Sequence, residues 1–343
     1  MQANAVVSGA GHQGERRSGA WLLSHDSPCL RARTKQWLLE LPADDPSVEA
    51  DRREYRRDPV LARLFAAQAP DGSWHGPALY CPKHRSTFWT LAVLAEMGAG
   101  RWLDEVEKAA EFALQFQAAN GEVYQFRRAA GGRPSPQKPV PCATTRLMSW
   151  LAELGYAGDE RLLRAVDYLI STQRPDGGWS CMERAMPRGL ESEKPCLGVT
   201  ASFLALAEAV PALARHQATA RAVELVVSLY FKDPKGYHVG NSWPYLYYPC
   251  FFMDLANTGR LLLVLAGDGG AGAGGGEVRQ AITRGAEYLV ARRLPDGAWP
   301  SDGHPYRPPV DPGKKGKGHP WVTLRVLRFL KAAGKGAAGH LEG

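Results

Sequence analysis

No apolar run in the chain approaches the roughly 18 to 20 residues that a membrane-spanning helix requires. The small, basic N-terminal stretch around Arg16 and Arg17 has no apolar block of a secretory signal. A cytoplasmic protein with a flexible segment over residues 1–27 is therefore expected. Cysteine is scarce, at 6 in 343 residues, and no Cys-x-x-Cys pair occurs. That excludes a disulfide-built domain and favours reduced thiols. The charge excess of +7 is spread along the chain and accompanies no nucleic-acid-binding motif, so nucleic acid is not an expected partner. Strand-like alternation is also missing, which leaves an all-α fold.

What the sequence does have is a repeat. TQRPDGGWSC at 172–181 returns as RRLPDGAWPS at 292–301. Each copy follows a helical apolar pattern, RAVDYLIS before the first and RGAEYLVA before the second. VLARLFAAQAPDGSW ends a third copy at Trp74, and KAAEFALQFQAANGEVY is a looser fourth at 108–124. A degenerate fifth covers 221–239. The turn glycines Gly72, Gly121, Gly177, Gly236 and Gly297 are spaced 49 to 61 residues apart. Pro-Asp-Gly supplies the reversal, with glycine taking a positive φ. The glutamine (Gln68, Gln117, Gln173) is placed to bond backbone groups freed at the helix end, and the tryptophan to cover the next unit.

After each turn comes a polar or proline-rich loop and then a second helix that is apolar nearly all round. These helices begin near Cys81, Pro141, Pro195, Pro249 and His319, and a sixth such segment begins at Pro28. Amphipathic helices alternating with apolar ones predict an outer layer around a buried inner ring. The fold expected is an (α/α)5-6 toroid over 28–334, with a flexible tail at 335–343. GDGGAGAGGGE at 267–277 reads as a linker, and loops at 127–140, 182–194 and 300–318 as a lid over one end.

Arg164, Ala165, Tyr168, Leu169, Gln173, Gly177 and Trp179 fit every element of the QW repeat, and the chain resembles the squalene–hopene and oxidosqualene cyclases that carry it. It is also similar to protein prenyltransferase β subunits, which share that toroid. The resemblance implies an isoprenoid ligand and, as chemistry, protonation-initiated cyclisation. A zinc-dependent prenyl transfer and a non-catalytic toroid binding a ligand or protein partner are the alternatives; contact with a membrane surface is compatible with each. The Asp-x-Asp-Asp acid motif of the triterpene cyclases is absent. So is the Asp-Asp-x-x-Asp of ionising cyclases, Asp44-Asp45 having no third Asp at that spacing.

Inner helices of a toroid run parallel, so their N-termini gather at one rim and create a positive field suited to anions and thiolates. Cys142, Cys181, Cys196, Cys250 and His319 fall at that rim and are the candidate zinc ligands; the cyclase reading requires no cofactor. Asp254, in YYPCFFMDLANTG, is the candidate catalytic acid, expected to be kept protonated by burial among aromatics. Trp243, Tyr247, Tyr248, Phe251 and Trp321 are candidate substrate-binding residues whose ring faces suit carbocations. Lys314, Lys315 and Lys317 in DPGKKGKGHPW, with Lys83, His84 and Arg85 in CPKHRST, are candidates for an anionic headgroup.

Overall fold

Proline opens several helices where its missing N–H costs nothing: α1 (Pro28–Leu38), α2 (Pro46–Arg53) and α3 (Pro59–Ala66) all begin this way. They are followed by α4 (Thr87–Met97), α5 (Asp104–Leu114), α6 (Pro141–Leu151) and α7 (Glu160–Ser171). The remainder are α8 (Leu197–Ala209), the short α9 (Pro211–Ala214), α10 (Gln217–Leu229), α11 (Leu255–Ala266), α12 (Gly275–Ala291) and α13 (Pro320–Ala332). The structure is a computed structural model that describes residues 18–124, 127–128, 134–135, 141–180, 194–232, 243–266 and 275–334. Among them the only strands are Arg127–Arg128 and Pro134–Ser135, paired antiparallel. No described helix is long and apolar enough to cross a membrane.

Six helices form the inner layer, and their packing closes a circle. Helix α1 lies against α4, α4 against α6, α6 against α8, α8 against α11, α11 against α13, and α13 returns to α1. In α4 every residue but Glu96 is buried, as the all-round apolar pattern requires. The outer helices show the complementary pattern. In α7 only Leu162, Ala165, Val166 and Leu169 are buried, a single 3.6-period stripe.

The repeated turn is a joint between units, and its parts divide the work differently from the expectation. Gln173 Nε2 donates to Gly177 O at 2.9 Å and to Ala218 O, in the next outer helix, at 2.8 Å. Gln68 and Gln117 do the same, reaching Glu105 O and Arg161 O, each at 2.8 Å. The tryptophan instead fastens its own unit: Trp74, Trp179 and Trp299 each donate Nε1 to the carbonyl ten residues earlier. The glutamine is therefore the tie between units. The glycine is required by space as well as by φ. A Cβ at Gly177 would lie 2.5 Å from Arg221 O, and at Gly72 2.3 Å from Lys108 O. Gly236, in the degenerate fifth copy, lies outside the described residues.

Helices α2 and α3 are separate because Asp58 caps a new start by accepting from Val60 N at 2.9 Å. One boundary differs from the sequence reading. Residues 18–27, expected to be flexible, belong to the ring. Residues 18–23 form a helical turn with Ser18 and Leu22 buried. Ser18 Oγ donates to Gly297 O at 2.7 Å and accepts from Arg293 Nη2 at 3.4 Å. The last turn has no following repeat to hold, so the N-terminal turn takes that place and Arg293 stands where the glutamine would.

Candidate functional site

The inner ring encloses a cavity of about 160 Å³ to which all six inner helices contribute. Its wall is not hydrocarbon. Glu96, Glu153, Glu208, Arg260, Arg325 and Arg328 line it together with Trp37, Trp150, Phe251 and Phe252. Most of these charges are paired, as buried charges must be. Arg260 bonds Glu208 across α11 and α8, and Arg33 Nη2 lies 2.6 Å from Glu153 Oε1. Arg328 stands 4.1 Å over the Trp37 ring.

Arg325, on the second turn of α13, is the hub of the wall. Its Nη1 donates to Glu96 Oε1 at 2.7 Å, and its Nη2 to Tyr247 O at 2.6 Å. Its Nε lies 2.8 Å from Asp254 Oδ2 as an ion pair whose N–H is not aligned on that oxygen. Glu96 accepts a further bond from Cys250 N at 3.0 Å. Asp254 sits immediately before α11 and caps it, Oδ1 accepting from Asn257 N at 2.7 Å. Two carboxylates, the buried Asp254 and the partly exposed Glu96, thus share one guanidinium. Burial pushes the Glu96 carboxyl above its ordinary range, aided by the Asp254 charge and opposed by Arg325 and the Cys250 N–H. The two carboxylates hold the Arg325 guanidinium well above its ordinary value in spite of its burial.

Over this wall, at the end where the inner helices begin, lies an aromatic cap. Phe251 and Phe252, in the non-helical stretch before α11, both touch the cavity. Above them His84 stacks on Tyr306 with centroids 3.8 Å apart and planes within 8°, and meets Trp89 at 4.3 Å. His84 is buried with neither ring nitrogen bonded. Burial first, then the charges of Lys83, His304 and Arg146, lower its pKa to about 3, so the ring is neutral.

The residues expected from sequence are distributed unevenly over this arrangement. Asp254 is in the site, but not as a lone carboxyl among aromatics: it caps a helix and partners Arg325. Phe251 lines the cavity; Tyr248 and Trp321 stack on each other 6.0 Å apart behind it, with His319 4.6 Å from Tyr248. Tyr247 is half-buried and stacks on Tyr245 instead, at 5.4 Å. Trp243 packs against Tyr230, at 5.2 Å and away from the cavity. Lys314, Lys315 and Lys317 are exposed in a loop whose backbone pairs with Ser301. Lys83 and Arg85 are exposed while His84 between them turns inward, so the expected basic cluster divides.

The zinc reading fares differently. Among the described residues no three Cys, His, Asp or Glu side chains converge as metal ligands, and Cys181 lies outside them. Cys142, Cys196, Cys250 and His319 each start a different inner helix and are spread around the ring. Cys250 and Cys29 are not activated either. Burial, then the Asp254 charge, pushes the Cys250 thiol far up, and Cys250 Sγ lies 3.6 Å from Asp254 Oδ2. Cys29 is raised in the same way by burial and Asp58. The favourable field of the helix starts is outweighed by desolvation and by carboxylates that already occupy the rim.

Glu96, Arg325, Arg260 and Glu208 were missed by motif reasoning. The signal was one or two charged residues inside an otherwise apolar helix, as in LAVLAEMG and WVTLRVLRFL. Buried charges of that kind need partners on neighbouring helices and so mark the interior wall.

No protein-family model matches the chain, and no curated protein does. Among solved structures, a protein from Actinoplanes is similar at 19% identity over 94% of this chain and 99% of its own, with a TM-score of 0.50. The type II terpene cyclase MstE from Scytonema, in a substituted form with geranylgeranyl dihydroxybenzoate bound, is similar at 17% identity. That match covers 96% of this chain and 99% of the cyclase, with a TM-score of 0.50. At these identities the likeness establishes a shared helical toroid.

Proposed function

We propose that the chain is a terpenoid cyclase that holds an isoprenoid in the inner-ring cavity and starts cyclisation by protonation from the Glu96–Asp254 carboxyl pair. One observation carries this reading: Glu96 on the cavity wall and the buried Asp254 behind it share a single guanidinium. Their joint charge exceeds what Arg325 neutralises, and a proton on one of them removes the excess. Glu96 is the member that takes it, being pushed up by burial and by its neighbour. Asp254 stays tied to the start of α11 and holds Arg325 in place. The similarity to a terpene cyclase fold and the QW-like turns support the same substrate class.

The step is a transfer of the Glu96 proton to one carbon of a carbon–carbon double bond. A C–H bond forms, the π bond breaks, and a carbocation is left beside the Glu96 carboxylate, which Arg325 stabilises. A second double bond attacks that cation to close a ring, and loss of a proton ends the sequence. The faces of Trp150, Phe251 and Phe252 on the wall suit the cationic intermediates. The cavity is smaller than the ~300 Å³ at which ligand pockets usually begin. A polyprene therefore needs the Phe251–Phe252 segment, which is not held in a helix, to be displaced. No cofactor enters this chemistry.

The test is incubation with geranylgeranyl diphosphate, geranylgeraniol and squalene in the presence of a metal chelator, followed by mass-spectrometric detection of cyclic isomers of unchanged mass. Glu96→Gln is expected to lower turnover by roughly 100-fold or more, as loss of a general acid does. Turnover unaffected by that substitution would overturn the assignment of the acid, and absence of any cyclic isomer from prenyl substrates would overturn the reaction.

A further inference from the structure

Four arginines of the described chain are almost completely buried: Arg33, Arg146, Arg260 and Arg325. Three of them have a carboxylate within ion-pair distance, Glu153 for Arg33, Glu208 for Arg260, and Glu96 for Arg325. Arg146 has none among the described residues. It is 3% exposed, on the second turn of α6, and its Nε has no hydrogen-bond partner. Its guanidinium stands 4.5 Å over the ring of Phe252, one of the two residues that cap the cavity. A cation–π contact offsets only part of the cost of burying a guanidinium.

A second group nearby is also left without a partner. His84 is 5% exposed, neither of its nitrogens is bonded, and its backbone is held at φ 67°, a region that non-glycine residues occupy at a cost. Its ring lies 6.2 Å from Phe252 and stacks on Tyr306, so Arg146 and His84 approach the same phenylalanine. Among the described residues, a strained histidine with no hydrogen bond and a buried guanidinium with no carboxylate partner thus meet at one phenylalanine ring. The neutral imidazole can donate one hydrogen bond, and the guanidinium can donate several in a planar fork.

We infer that Arg146 and His84 form a binding site for an anionic oxygen group, a phosphate or carboxylate, at the aromatic-capped end of the cavity. Phe252 separates this site from the Glu96–Arg325–Asp254 wall. An anionic head held here would leave its hydrocarbon tail directed past Phe252 to the acid. The substrate class is accordingly an isoprenoid phosphate or carboxylate rather than a pure hydrocarbon or a simple alcohol. The tail rests on the cyclase reading above; the anion site does not.

The experiment measures affinities of the full chain for geranylgeranyl diphosphate, geranylgeraniol and inorganic pyrophosphate at fixed ionic strength. The diphosphate lipid is expected to bind roughly 10- to 100-fold more tightly than the alcohol. Arg146→Gln is expected to remove that preference while leaving the alcohol's affinity unchanged, and Arg146→Lys to keep part of it. Equal binding of the two lipids by the parent protein overturns the site, and this arm requires no variant to fold. Preference retained in Arg146→Gln overturns it too. Alcohol binding with no anionic preference would sink the anion site and leave the lipid reading standing. Pyrophosphate binding lost in Arg146→Gln, without binding of either lipid, would support the anion site as one for a free anion and sink the lipid reading.

Discussion

Replacing Arg325 by methionine removes the one cation shared by Glu96 and Asp254 while keeping the volume of the side chain largely filled. The parent arginine is 3% exposed and reaches Glu96 Oε1 at 2.7 Å, Tyr247 O at 2.6 Å and Asp254 Oδ2 at 2.8 Å. Breaking a buried ion pair from one side costs about 3–5 kcal/mol, because the other side is left charged and uncompensated. For a chain of this size that corresponds to a fall in Tm of about 5–8 °C at pH 7.5. The cost should not be constant with pH. Without Arg325, Glu96 loses its largest charge-stabilising neighbour, and its folded-state pKa, already raised by burial, climbs further. A carboxyl raised above its unfolded value contributes stability that is complete below that unfolded value. This stability is lost as pH rises through the folded value. The difference in Tm between Arg325→Met and the parent should therefore be small near pH 5 and grow towards pH 8. Differential scanning calorimetry of both proteins across that range measures it. A deficit of the same size at every pH would refute the reasoning and reduce Arg325 to a packing residue.

Gln173→Ala should cost about 2–4 kcal/mol, since it strips the donor from Gly177 O and Ala218 O and the acceptor from Arg221; denaturant unfolding measures it, and a loss below 0.5 kcal/mol would show that the glutamine does not fasten units. His84 and His319 are held neutral, their pKa values lowered to about 3 and about 4 chiefly by burial. A histidine depressed in this way contributes stability that is complete above its unfolded value of ~6.5 and is lost as pH falls towards the folded one. The Tm of the parent protein should drop between pH 7 and pH 5, and the C2 protons of these two rings should not titrate in that window by NMR. Titration of either ring near pH 6.5 would contradict the burial that the structure gives it.

The ring was legible in the sequence because its joint is local. Gln, Gly and Trp occur within seven residues of each other at 68–74 and 173–179, with Arg293 replacing the glutamine at 293–299, and each has a backbone job. The number of units followed from counting turns, apart from the closing one, whose partner Ser18 is 279 residues from Gly297. The cavity wall was much less legible. Asp254 stood out as a carboxyl in an aromatic stretch, yet its role depends on Arg325, 71 positions later, and on Glu96, 158 positions earlier. Nothing in their spacing pairs them; only closure of the ring brings α4, α11 and α13 together. The rim cysteines led the other way. Their regular placement at helix starts is real, but equal spacing around a circle keeps groups apart instead of gathering them.

Closure between α13 and α1 also has a consequence for how the chain acquires its interior. Lys331 Nζ reaches Leu38 O at 2.7 Å across 293 residues, and the opening turn is fastened to the last repeat through Gly297 and Arg293. A chain emerging from the ribosome must stay an open crescent until its last helix arrives, with the apolar inner faces of its early units uncovered. The compartment in which Glu96, Asp254 and Arg325 meet is therefore the last part of the molecule to exist, and a truncation of even one C-terminal turn should leave a bracelet that cannot be shut.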